Sequence, residues 1–325
     1  MKRGLPVRQR GVAVVTALLL TTLAVTIVAS LFWQQQVQVR SIENQRLHFQ
    51  TRWMLRAGLD FSRFFLREEM RNNPTQTRAD DTWATPLADT RLDDLVKHER
   101  IEGEKYDATL SGQNFDAQSR YNLANLASTA AGGGINKRQL AVFARLLQIL
   151  QLDQSLAKAV AVQVVRGEGA GMVQQGVQPS PDVEPVPPGG GQPMKILRVE
   201  DLLSVAGFDQ KAIERLREFV IVLPKQTPLN VNTASAEVLG ALINGSVSEG
   251  QNLVVSRKRS PFTDVANFKA FLSGKQPLLQ DSDLAVRSDY FLVWSRVRLD
   301  RAQLTSWSLI QREAAGSKVV WIREF

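Results

Sequence analysis

From Gly11 to Val39 the chain carries no charged residue, a run of 29 positions, and from Val12 to Trp33 nearly every residue is apolar or small. A helix needs roughly 20 such residues to cross the hydrocarbon core of a bilayer. The ten residues before Gly11, MKRGLPVRQR, include Lys2, Arg3, Arg8 and Arg10 and no acid. Cations flanking an apolar span are held in the cytoplasm, so the chain beyond Trp33 is expected outside the inner membrane. Three kinds of chain begin this way. One is a plain signal anchor. Another is a cleaved secretory signal, with Val28-Ala29-Ser30 as its small-residue site. The third carries a leader trimmed on the inner side of the apolar stretch.

Composition removes several chemistries. The chain has no cysteine, which excludes disulfides, cysteine nucleophiles and thiolate metal sites. Its only histidines are His48 and His98, too few for a multi-histidine metal centre. The formal net charge is +8, half of it contributed by the first ten residues, which leaves little drive toward a polyanion elsewhere.

Ile42, Phe49, Trp53, Ala57, Phe61 and Phe64 recur at helical spacing, and Arg52, Arg56, Asp60, Arg63 and Arg67 fall on another face. No proline interrupts the chain from Gly11 to Asn73. One continuous helix is therefore expected from the membrane to about Arg71, half-buried, stopped by Asn72-Asn73-Pro74. A cleaved secretory signal is not expected to share a helix with the mature domain.

Strand patterning marks both sides of a long middle segment. Tyr106, Ala108 and Leu110 alternate onto one face, as do Phe291, Val293, Val297 and Leu299. Trp307 and Leu309 continue the theme, and Val319 to Phe325 follows the turn-like Ala315-Gly316-Ser317. These predict an antiparallel meander that covers the amphipathic helix. The strand near 106–111 can join it only if the chain between loops out and returns. That chain reads as helix over Gln139–Val165, Val199–Leu223 and Ala234–Leu272, with a Gly-, Pro- and Gln-rich loop at 172–193 that need not pack. An excursion of this length must hold its own core.

Three segments carry a family resemblance. The order of basic leader, Arg10-Gly11 and Val12-Ala13-Val14-Val15-Thr16-Ala17 is similar to type IV prepilins and pseudopilins. Asp80-Asp81-Thr82-Trp83-Ala84 and Phe115-Asp116-Ala117-Gln118-Ser119-Arg120-Tyr121-Asn122-Leu123 resemble the K-type minor pseudopilins of type II secretion. The resemblance implies an α+β, pilin-like fold: a long N-terminal helix packed on an antiparallel sheet, with a large inserted helical domain. Its parts would be a leader at 1–11, a membrane segment at 12–33, and spine helix with first strands at 34–121. The insert would occupy 122–285, and closing strands 286–325.

It further implies cleavage by prepilin peptidase between Gly11 and Val12, and N-methylation of Val12. The fifth mature residue would be Thr16, where most pilin-like subunits carry glutamate and the K type does not. A tip subunit has no subunit above it whose amine needs neutralising. Implied partners are the I-, J- and H-type minor pseudopilins, the prepilin peptidase and the inner-membrane secretion platform. The implied role is to form or cap the tip of the pseudopilus.

Pro228-Leu229-Asn230-Val231-Asn232-Thr233-Ala234 resembles the start of a helix-hairpin-helix module, which makes a membrane-anchored DNA-uptake protein the alternative reading. Its hairpin position, Asn244-Gly245-Ser246-Val247, lacks paired glycines, and residues 230–272 net only +1. Phosphate contact dominates nucleic-acid affinity, so nucleic acid is not the expected partner. Gly132-Gly133-Gly134 has no lysine and hydroxyl residue after it at P-loop spacing and reads as a turn. Asp281, Asp283 and Asp289 form an oxygen-rich group; solvated acids are the simpler reading and calcium the alternative. No catalytic constellation emerges, so the chain is not expected to be an enzyme.

Overall fold

A computed structural model describes residues 10–91, 108–130, 133–168, 180–186, 193–272, 274, 277–313 and 316–325. The leader before Arg10, His98, Tyr106, Gly132, Ala315 and most of the loop expected at 172–193 lie outside these residues.

Helix α1 runs unbroken over Arg10–Asn72, 63 residues, or about 95 Å at the α-helical rise. Asn73 still donates its amide to the Glu69 carbonyl, and Pro74 follows with no amide to give. Among the described residues this is the one helix long and apolar enough to cross a membrane.

Strands β1 (Leu87–Arg91), β2 (Ala108–Asp116), β9 (Tyr290–Leu299), β10 (Ala302–Glu313) and β11 (Gly316–Glu324) form a five-stranded sheet in the order β1-β2-β9-β10-β11. β10 and β11 pair antiparallel, with a bulge between Leu309 and Ile310. β9 turns into β10 at Asp300-Arg301, with Asp300 in the left-handed region at φ +49°. β2 and β9 are neighbours, so the chain between them leaves the sheet and comes back.

That intervening chain holds helices α2 (Lys137–Ile149), α3 (Leu156–Gly167), α4 (Gln210–Leu216), α5 (Ala236–Leu242), α6 (Val247–Arg259) and α7 (Val265–Ala270). Two-residue ladders tie it together. β3 (Tyr121–Asn122) pairs in parallel with β6 (Val220–Ile221), and β7 (Leu229–Asn230) with β8 (Leu284–Ala285). β4 (Ile135–Asn136) pairs antiparallel with β5 (Val183–Glu184).

The chain divides into two compact units. The first takes Met1–Ala57, Asp89–Leu110 and Arg296–Leu304. In it Leu55, Leu110, Val297 and Leu299 are buried, and Arg301 Nη2 donates to Asn44 Oδ1 at 2.9 Å. The second takes Gly58–Ala88, Ser111–Ser295 and Thr305–Phe325. Its largest core belongs to the helices and includes Phe143, Leu147, Val160, Ile213, Leu239 and Phe262. A second core joins Leu59 and Leu66 of α1 to Trp83, Phe291, Val293 and Ile310. Trp83 meets Phe291 edge-to-face at 5.1 Å. A third joins Ile221 and Leu223 to Tyr290, Leu292 and Leu309, so this end of β9 is covered on both faces.

The three long helices expected in the middle segment are each broken. Gln139–Val165 is α2 and α3, separated where Gln151 takes φ +58°. Leu152 N then bonds the Leu147 carbonyl at 2.8 Å and Gln151 N the Gln148 carbonyl at 3.0 Å. This pair of bonds is the Schellman closure. It usually carries glycine, and glutamine in its place hid the stop. Val199–Leu223 is a 3₁₀ turn at Val199–Ser204, then α4 and β6. Ala234–Leu272 is α5, α6 and α7.

Candidate functional site

Two features stand out once the packing is known: an apolar stripe left outside and a polar cluster taken inside. On α1 the buried residues are Thr51, Leu55, Gly58, Leu59, Leu66 and Glu69. The aromatic face expected to be covered is not. Phe49 is 62% exposed, Trp53 67% and Phe64 47%, and Ile42 and Phe61 are also exposed. Both stripes recur near the helical period, so periodicity alone could not choose between them. Guanidinium groups lie over two of the exposed rings, Arg56 above Trp53 at 5.5 Å and Arg67 above Phe64 at 5.6 Å. Burying one such side chain is worth about 1.5–3 kcal/mol.

At the amino end, Gly11 and Val12 lie in the first turn of α1, and Val12 is exposed. The Thr16 hydroxyl donates to the carbonyls of Val12 and Ala13, both at 3.0 Å. Thr21, Thr22 and Thr26 bond back to their own helix in the same way. A hydroxyl satisfied locally can face lipid at little cost.

The three aspartates do not form a calcium shell. Asp281 is paired with Lys269, and Asp289 accepts from Arg287 Nη2 at 3.1 Å. Asp283 is partly buried on the 3₁₀ turn it shares with Asp281, and burial raises its carboxyl above the ordinary range. Among the described residues no three carboxylate or imidazole groups are placed to hold a metal ion.

Nor is the hairpin between α5 and α6 open to phosphate. Asn244 N bonds the Ala241 carbonyl at 3.2 Å and Gly245 N the Gly240 carbonyl at 2.8 Å. Ser246 N bonds Glu249 Oε2 at 2.8 Å, half of a capping box. Three successive amides that would cradle an anion are thus occupied from within. Arg145 also clamps the Gly245 carbonyl, through Nε at 3.1 Å and Nη2 at 2.6 Å. The two helices touch backbone to backbone: a Cβ on Gly250 would lie 1.9 Å from the Ala236 carbonyl oxygen. The alternative DNA-uptake reading receives no support.

The polar cluster is built around Asp116, the last residue of β2, 4% exposed. Its Oδ2 accepts from Ser288 Oγ at 2.6 Å, Thr233 Oγ1 at 2.5 Å and Asn230 Nδ2 at 2.9 Å; its Oδ1 accepts from Gln118 N at 2.8 Å. Asn230 Nδ2 also reaches the Thr77 carbonyl at 3.1 Å. Arg312 of β10, itself buried, donates Nη2 to the Ser288 carbonyl at 2.6 Å and to Thr77 Oγ1 at 3.0 Å. Burial raises the Asp116 carboxyl although four donors oppose it. Burial likewise lowers Arg312, and lowers Arg257 to about 10. The cluster joins sheet strands to the β7–α5 connection and to the segment after β8. Two segments singled out in the sequence, Phe115–Leu123 and Pro228–Ala234, supply Asp116 and Gln118, and Asn230 and Thr233. Their meeting was not legible because they are more than a hundred residues apart.

Comparison with known proteins agrees with this architecture. Two family profiles, each described as type II secretion system (T2SS), protein K, match residues 119–225 and 229–287. A type II secretion system protein K of Pseudomonas aeruginosa is 28% identical, spanning 100% of this chain and 94% of that protein. Its namesake in Klebsiella pneumoniae is 25% identical over 96% of this chain and 95% of that protein. Among solved structures, a chain of the GspK-GspI-GspJ complex from the enterotoxigenic Escherichia coli type 2 secretion system has a similar fold. The TM-score is 0.58 at 17% identity, covering 87% of this chain and 98% of that one. The long helix, the sheet with its helical excursion and the matched profiles place this chain in the type II secretion system protein K family, the K-type minor pseudopilins.

Proposed function

We propose that this minor pseudopilin forms or caps the tip of the periplasmic pseudopilus that drives folded proteins across the outer membrane. The observation that carries the reading is the exposed stripe of Ile42, Phe49, Trp53, Phe61 and Phe64 on α1, apolar surface with no cover in this chain. Exposed apolar surface of this kind marks an interaction face. Its occupants are the spine helices of the I-, J- and H-type pseudopilins. The solved structure of similar fold is a complex of GspK with GspI and GspJ.

In this reading the basic leader stays in the cytoplasm and residues beyond Trp33 stand in the periplasm. Prepilin peptidase cuts between Gly11 and Val12, Val12 is N-methylated, and the subunit is delivered to the inner-membrane platform. With Thr16 at the fifth mature position, no carboxylate is present to neutralise the amine of a subunit above. The helical insert at 122–285 then obstructs addition over it, as a cap must. The work is structural: the chain positions other subunits rather than transforming a substrate.

Amino-terminal sequencing of membrane-extracted protein tests the processing, with Val12 expected first. Gly11→Leu is expected to retain the leader. Co-purification with the other minor pseudopilins tests the stripe. Trp53→Asp is expected to abolish it while the protein still folds. A native start at Met1 would refute the processing, and wild-type co-purification by Trp53→Asp would refute the packing.

A further inference from the structure

A concavity of about 390 Å³ opens beside α1 where β11 begins, lined by Asp60, Arg63, Phe64, Arg67, Gly316 and Ser317. Its two arginines are in different states. Arg63 is fixed: Nη2 donates to the Ser317 carbonyl at 2.7 Å, Nε to Ser317 Oγ at 3.1 Å, and Nη1 to Asp60 Oδ1 at 2.8 Å. Its charge is answered by Asp60. Arg67 is exposed and rests over the Phe64 ring, and among the described residues it has no carboxylate partner. The other acids of this stretch are engaged elsewhere, Glu68 with Arg71 and Glu69 with Asn73. A Cβ built on Gly316 meets nothing within 4 Å, so that wall leaves room.

We propose that this concavity receives one carboxylate side chain, aspartate or glutamate, from the spine helix of a neighbouring pseudopilin. The inference rests on the helix-packing reading above and adds the chemistry of the partner. A guanidinium that sits over a ring with no acid partner keeps its fork of N–H donors available to meet a carboxylate with two bonds. Phe64 supplies an apolar wall for the methylene stem, and exposed Phe61 continues the apolar surface along the helix. A free inorganic anion would leave those rings wet; an acid carried on an amphipathic helix covers the rings and answers the charge together. Once desolvated between two helices, such a pair fixes register as well as adding affinity.

The test uses the full-length chain co-expressed with the other minor pseudopilins and extracted from membranes, with association measured across a salt series. Arg67→Glu is expected to weaken association about ten-fold or more. Arg67→Lys, which keeps the charge and loses the fork, should fall between. Arg71→Glu, outside the concavity, controls for bulk charge and should change little. A single acid-to-arginine reversal on a partner's spine is expected to restore binding to Arg67→Glu. Wild-type association by Arg67→Glu, while Trp53→Asp still disrupts it, would overturn this inference and leave the packing reading standing. If neither substitution had an effect, the packing reading would fall and this one with it. Restoration by added inorganic phosphate, with no partner reversal able to rescue, would also overturn the protein carboxylate assignment.

Discussion

The stripe on α1 and the cluster around Asp116 invert the usual expectation in opposite directions. Phe49 and Trp53 are large and apolar, yet exposed; Asp116, Asn230 and Arg312 are polar or charged, yet buried. The contrast teaches that polarity alone does not decide burial. A polar group can go inside when its charge finds partners there: Asp116 finds four donors within 2.9 Å, whereas Arg312 bonds only through Nη2 and lays its Nε and Nη1 side against Phe291 without a hydrogen bond. An apolar group can stay outside when its partner lies in another chain. The cluster holds this chain together, and the stripe is the face we propose to be used between chains.

That contrast can be broken most forcefully at its centre. Asp116→Ala strips the acceptor from four donors at once and should lower unfolding free energy by about 3–5 kcal/mol, read by urea denaturation. Asn230→Ala removes one spoke, and about 1–3 kcal/mol is expected in the same measurement.

The pH dependence sharpens the same side. Burial raises the Asp116 carboxyl, so the folded chain binds a proton more readily than the unfolded one. Its contribution to stability is therefore greatest at low pH. It declines as pH rises from the ordinary carboxylate range through the raised value, and stays low above it. Asp116→Asn should flatten that part of the profile, measured as melting temperature against pH. On the other side of the contrast, Trp53→Ala or Phe49→Ala should move the stability of the isolated chain by less than about 0.5 kcal/mol. A loss as large as that of Asn230→Ala would show that the stripe is covered within the chain.

The sequence was most legible where a long signal could not mean two things. An uncharged run from Gly11 to Val39 with no proline between Gly11 and Asn73 leaves little besides a continuous helix, and α1 is that helix. The alternation at 291, 293, 297 and 299 identified β9, although the covering of Tyr290 and Leu292 by Ile221 and Leu223 was invisible to it. Helix ends were the weakest part. Gln151 and Asn244 take left-handed conformations in closures where glycine is the usual signal. Gly240 and Gly250 were legible only as weak helix formers, whereas their role is the close crossing of α5 and α6.

What the sequence determined by itself was local: a membrane-crossing rod, its extension as an amphipathic shaft, strands on either side of a long excursion, and the motifs that resemble one family. Each rests on spacing within a few turns of chain. Which stripe of the shaft is covered, which acids are neutralised, and that Asp116 meets Asn230, Thr233 and Ser288 were decided only in the tertiary structure. Burial and hydrogen bonding depend on neighbours brought together from distant segments, and no periodicity along one segment encodes what will arrive from another.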